Sequence, residues 1–154
     1  MSRAEGSGAT PPHVDGPVIG RAMLRKRISA SDARYAGDLV EGAHLLQLFG
    51  DLATELSIRH DGDEGLMRAY DSVEFLAPVQ AGDYIDVYGA LTEVGRSSPR
   101  MAFEAYKSIV STPERGSSSA APLDPPLLVA RAIGVTVTPV DRQRGGGAQP
   151  STTR

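Results

Sequence analysis

Glu41 and Gly42 stand side by side in the stretch Asp38-Leu39-Val40-Glu41-Gly42-Ala43-His44. A carboxylate next to a glycine at a helix start can combine a base with backbone N–H donors. That combination suits removal of a proton beside a carbonyl, with the amides taking the charge that grows on oxygen. The same acid equally fits a structural role, as the acidic member of a capping box favoured by the helix dipole. Asp51 follows ten residues later, about 15 Å along a helix axis at 1.5 Å per residue. The two acids therefore cannot share one pocket within a chain. They could meet only across a dimer; otherwise Asp51 is a polar group in the seam between subunits. Tyr35 can offer its hydroxyl to a substrate or a base, or cover the helix start as a packed aromatic. His44 can be a base or a hydrogen-bonded interface residue. Arg96 and Arg100 flank the turn Gly95-Arg96-Ser97-Ser98, with Lys107 further on. They could hold phosphates by charge-assisted bonds, or form a solvated basic edge.

These residues need a helix to carry them. Leu39 to Arg59 is predicted helical, with Asp38 as N-cap and Glu41 completing the capping box. The run His60-Asp61-Gly62-Asp63-Glu64-Gly65 should end it, with a glycine in the left-handed cap. Leu39, Val40, Leu45, Leu48, Phe49, Leu52 and Leu56 make this helix apolar round most of its girth, as a core helix is. One polar stripe remains, made of Glu41, His44, Gln47, Asp51 and Glu55. Alternation predicts a first strand over Met23 to Ser29. Further strands are expected at about 67–76, 84–94, 100–111 and 127–138. Gly82-Asp83 and Gly95 to Pro99 supply turns, and the proline- and serine-rich stretch 112–126 reads as a surface loop. A long buried helix followed by antiparallel strands is satisfied by one sheet wrapped round one helix, an α+β arrangement.

The chain has 154 residues and a formal net charge of -3. That length suggests one domain with one core. The charge favours neither nucleic acid nor an anionic membrane. With no cysteine, disulfides, thiolate metal sites and a cysteine nucleophile are excluded. No apolar run approaches a membrane span, and the N-terminus lacks an apolar signal core, so a cytoplasmic protein is expected. Residues 1–21 and 145–154 are rich in small and polar residues and are expected as disordered tails flanking a domain over 22–144.

The block from Asp71 to Ser98 runs strand, Pro-Val corner, Gly-Asp turn, strand, and follows a buried helix. It resembles the hotdog fold, whose members mostly act on acyl groups carried as thioesters by coenzyme A or acyl carrier protein. A narrower likeness rests on Asp32-Ala33-Arg34-Tyr35, Gln47-Leu48-Phe49-Gly50-Asp51, Asp61-Gly62-Asp63-Glu64-Gly65 and Phe75-Leu76-Ala77-Pro78-Val79. With Phe103 to Lys107 and Val137 to Arg144, these strings resemble the 3-aminobutyryl-CoA ammonia-lyases of lysine fermentation, over about residues 23–144. The resemblance implies reversible elimination of ammonia from a short 3-aminoacyl-CoA, such as L-3-aminobutyryl-CoA to crotonyl-CoA. No metal or prosthetic group is implied, and coenzyme A enters only as part of the substrate. Such a reaction needs a base for the α-proton, donors for the enolate oxygen and a holder for the leaving ammonium. Glu41, Asp51 and Tyr35 become catalytic candidates, and Gly42, His44, Arg96 and Arg100 substrate-binding ones.

Two positions depart from the family pattern. Ala36-Gly37-Asp38 stands where Gly-Gly-Asn is expected, and His44 where a basic residue such as Lys is expected. Two other acyl-CoA activities fit less well. Hotdog hydratases place a His five residues after an Asp, whereas Asp38 and His44 are six apart. Thioesterases with a long helix carry an acid in mid-helix, where a gap-free register from Gly37 places Phe49. A short-chain acyl-CoA thioesterase and a non-catalytic acyl-CoA-binding protein remain the alternatives. An exposed edge strand and a polar helix stripe predict a homodimer or an assembly of dimers.

Overall fold

The computed structural model describes residues 10–95 and 98–142. Five strands, β1 (Gly20–Arg27), β2 (Leu66–Phe75), β3 (Tyr84–Glu93), β4 (Arg100–Ser111) and β5 (Ala120–Val137), form one antiparallel sheet in the order β1-β3-β4-β5-β2. Helix α1 (Gly42–Asp61) packs against one face of it. Leu45, Leu48, Phe49, Leu52, Ala53 and Leu56 recur at three- and four-residue spacing and are all buried. They meet Ile85, Val87, Leu91, Met101 and Phe103 of the central strands. Phe49 stacks on Phe103 with ring centroids 5.3 Å apart. Gly89 lies beneath the helix, where a Cβ would come within 3.3 Å of Leu52 and Leu56. Glycine there lets α1 settle close to β3.

The α+β architecture matches the sequence reading, but several boundaries move. The helix starts at Gly42 rather than Leu39. Leu39 bridges to Gln80 and Val40 donates its N–H to Val79, so both are held extended. Asp38 has φ 58°, which an N-cap residue does not adopt. Glu41 takes the N-cap position itself, at φ -71° and ψ 150°, with no side-chain cap bond. The expected Asp38–Glu41 capping box therefore does not form. At the other end Gly62 is left-handed and donates to Ile58, as the glycine signal implied. Strand β5 begins at Ala120, inside the stretch read as a loop. Pro122 and Pro125 are tolerated because β2 pairs only with Ala130–Val137, so the first half of β5 has a free edge.

The N-terminal expectation also shifts. Strand β1 begins at Gly20, and residues 10–19 lie against the sheet rather than apart from it. Pro12 is buried, and Arg21 donates to the carbonyls of Thr10 and Pro11 at 3.1 and 2.7 Å. Beneath this segment the outer face of the sheet is unexpectedly polar. Arg25 pairs with buried Asp86, Tyr106 donates to buried Glu104 at 2.6 Å, and His13 N–H reaches the same carboxylate. Small and polar residues can thus order where buried carboxylates need donors. Residues 145–154 lie outside the described ones.

Candidate active site

The approach to α1 is sewn to the corner between β2 and β3. Val40 N–H donates to Val79 O at 2.8 Å, and Ala81 N–H donates to Asp38 O at 3.0 Å. The corner is fixed from below by Asp83, which is fully buried. Its carboxylate accepts the N–H groups of Gln80 and Ser111, each at 2.8 Å. Lys107 lies 3.2 Å from it and donates to Pro78 O at 2.8 Å. Lys107, read from sequence as a possible phosphate contact, is instead buried beneath the corner. Alternation along a strand says which face a lysine takes, and here that face is the core side.

Above this corner lies an open cavity of about 340 Å³, lined by Val40, Gly42, Leu45, Phe75, Leu76, Ala77, Pro78 and Val79. It is apolar except where it reaches the first turn of α1. The N-cap residue Glu41 makes no side-chain bond to that turn. The His44 N–H bonds back to Glu41 O at 3.1 Å, which leaves the Gly42 and Ala43 amides without an intrahelical acceptor, and the helix dipole makes the spot favourable for negative charge on oxygen. Phe75 lies directly over Gly42: a Cβ at position 42 would stand 2.6 Å from the ring's Cζ. Glycine is therefore required for this packing. An apolar slot ending on free amides can take an acyl thioester with its carbonyl oxygen on the amides.

The sequence candidates distribute unevenly around this slot. Glu41 is beside Gly42, but its carboxylate turns to Arg34, which donates at 3.2 Å. His44 is nearly buried in a polar cluster opposite, its Nε2 3.1 Å from Lys26 Nζ and 3.9 Å from Asp32. An ammonium has only donors, so Nε2 is the acceptor in that contact. Asp32 is held below the usual carboxylate range, first by the Ser29 N–H and then by the Ser29 hydroxyl and Lys26. Tyr35 is 59% exposed rather than packed over the helix. Asp51 is exposed on the helix flank, two to three turns from the slot. Arg100 lines a different cavity with His13, Asp15 and Glu93. It pairs with Asp71 and lies 3.6 Å from Glu93, and the bond to Asp71 and that residue's charge raise its pKa. Arg96 lies outside the described residues.

The sequence reading missed Phe75 and the Lys26–Asp32 partners of His44. The Phe75 to Val79 string was visible, but nothing local says that its ring crosses to the helix start. Phe49, where the gap-free register places the thioesterase acid, is fully buried against Phe103.

Residues 38–110 match the sequence model of the Thioesterase superfamily. The sheet wrapped on one helix, with a slot at the helix start, defines the class as a hotdog-fold domain of that superfamily. The hexameric thioesterase y2039 from Yersinia pestis shares the fold at a TM-score of 0.65 and 19% identity, over 90% of this chain and 100% of that one. Nearer similarities narrow the class. The β-alanyl-CoA:ammonia lyase from Clostridium propionicum superposes with a TM-score of 0.79 and 36% identity, over 88% of this chain and 95% of that one. A 3-aminobutyryl-CoA ammonia lyase of Acetoanaerobium sticklandii is 55% identical over 124 residues, covering 80% of this chain and 98% of its own. The chain belongs to the 3-aminobutyryl-CoA ammonia lyase family.

Proposed function

We propose that this chain is a carbon–nitrogen lyase that removes ammonia, reversibly, from a short 3-aminoacyl-CoA, with L-3-aminobutyryl-CoA and crotonyl-CoA as the pair. The observation that carries the reading is the extent of the family likeness, 55% identity across nearly the whole of the relative. The apolar slot closing on uncapped helix amides supports it, because an acyl thioester fits such a surface.

In this reading the thioester oxygen accepts from the Gly42 amide, which lowers the cost of the developing enolate. Glu41 takes the α-proton. The electron pair of that C–H bond forms the new double bond, and the pair of the C–N bond leaves with nitrogen as ammonia. The nitrogen departs from an ammonium, so no strong acid is needed, and Glu41 later returns its proton to solvent or to the ammonia. Protein groups supply all of this without a metal or prosthetic group. Glu41 must first leave Arg34. That pair is on the surface, with Arg34 72% exposed, so releasing it costs about 0–1 kcal/mol. Tyr35 and His44 flank the same helix start and are the remaining polar contacts for substrate. Arg96 and Asp51 are proposed to contribute to phosphates and to ammonium across subunits.

We further propose a homodimer, or an assembly of dimers, built on β2. Support comes from its position at the sheet edge and from Leu66 and Leu76, which are 70% and 49% exposed. Among the described residues no helix is long and apolar enough to cross a membrane. The cytoplasm is the proposed compartment.

The test is to incubate the purified chain with crotonyl-CoA and ammonium. Enoyl absorbance and free thiol are followed together. Loss of the enoyl signal with little thiol is expected. Rapid thiol release without amination would assign the chain to thioester hydrolysis.

A further inference from the structure

We propose that Phe75 limits the length of acyl chain that the slot accepts, an inference resting on the acyl-CoA reading above. Phe75 is the last residue of β2, opposite Ala130 in β5, which puts it on the helix-facing side of the sheet. Three of its ring atoms lie within 2.9 Å of the place a Cβ on Gly42 would occupy. The ring therefore stands over the helix turn whose amides would hold the thioester oxygen. With that oxygen in place, the acyl chain starts beside the ring and must pass it to extend.

Phe75 is also not a core filler. Phe49 and Phe103 are buried to 0% and 1% exposure, while Phe75 is 54% exposed. A half-exposed aromatic at a strand end gains only part of its burial energy from packing. The opposite wall is different in kind. Val79 is buried, and the carbonyl of Pro78 is held by the Lys107 ammonium. That wall is anchored to the core and cannot retreat to make room. The ring of Phe75 is then the largest side chain at the slot whose removal opens space without disturbing the core.

The experiment measures binding of butyryl-, hexanoyl- and octanoyl-CoA to the full chain by titration calorimetry. Wild type is compared with Phe75→Leu and Phe75→Ala. Wild type is expected to bind more weakly as the chain lengthens. In Phe75→Ala the octanoyl-to-butyryl affinity ratio should rise by about tenfold or more, the size of effect that a few methylenes have in an apolar pocket. Phe75→Leu should fall between, and it carries the comparison if the alanine variant does not fold. An unchanged ratio in the variants, whatever happens to overall affinity, would overturn the proposal. So would a wild type indifferent to chain length. Saturated acyl-CoAs have no double bond to aminate, so failure of the lyase reading is seen separately, as a wild type that binds or hydrolyses them selectively by chain length yet aminates no enoyl-CoA.

Discussion

Glu41 shows how little a residue's neighbours in sequence reveal about its job. Its place before Gly42 fits a capping box as well as a base. The structure removes the cap: the side chain makes no bond to the helix amides and instead accepts from exposed Arg34. Glu41→Gln should therefore leave stability almost unchanged. If Glu41 is the base, the rate of crotonyl-CoA amination should fall by roughly 10²–10⁴-fold. Comparing amination rate with thermal unfolding separates the two roles. A variant that keeps its activity moves the search to Tyr35 and to Asp51 of a neighbouring subunit. His44 was visible as a helical histidine, but its partners were not. Lys26 and Asp32 come from β1 and the turn after it, contacts that no local pattern announces.

At the scale of elements, the Pro78–Asp83 corner matters most, because it holds both the slot's wall and the strand-like approach to α1. Lys107→Met keeps the apolar stem but leaves Asp83 buried without its ammonium. Breaking a buried pair in this way costs about 3–5 kcal/mol. Chemical denaturation should show a loss of that size, and Asp83→Asn added to it should restore part. The helix and the β2–β3–β4 run were legible in sequence because their apolar spacing follows the helical and strand periods. The failures have physical causes. The helix start was misplaced because Leu39 and Val40 continue the apolar pattern while their backbones pair with Gln80 and Val79. Strand β5 was shortened because proline argues against a strand unless a free edge is known. The slot was half legible: Gly42 was, but the ring of Phe75 over it depends on how β2 crosses the helix.

For the whole molecule, the sheet's outer face sets a condition that sequence composition did not suggest. Burial, and then the hydrogen bond to Glu104 and its charge, raise the pKa of Tyr106 above the ordinary tyrosine value. A folded pKa above the unfolded one means stability that is present below about pH 10 and lost as pH rises past it. Thermal unfolding at about pH 9 and about pH 11 should therefore fall more steeply for wild type than for Tyr106→Phe, which has no proton to lose. The β2 edge belongs to the same scale. Sedimentation at micromolar concentration should give a dimer or a multiple of it, and an active monodisperse monomer would contradict the assembly. The central claim is the reaction itself, and the elimination direction tests it most directly. The purified chain is given 3-aminobutyryl-CoA, and enoyl absorbance, ammonia and free thiol are read from one sample. Enoyl product and ammonia should rise together in equal amounts with the thioester intact. Free thiol appearing without ammonia would contradict the account.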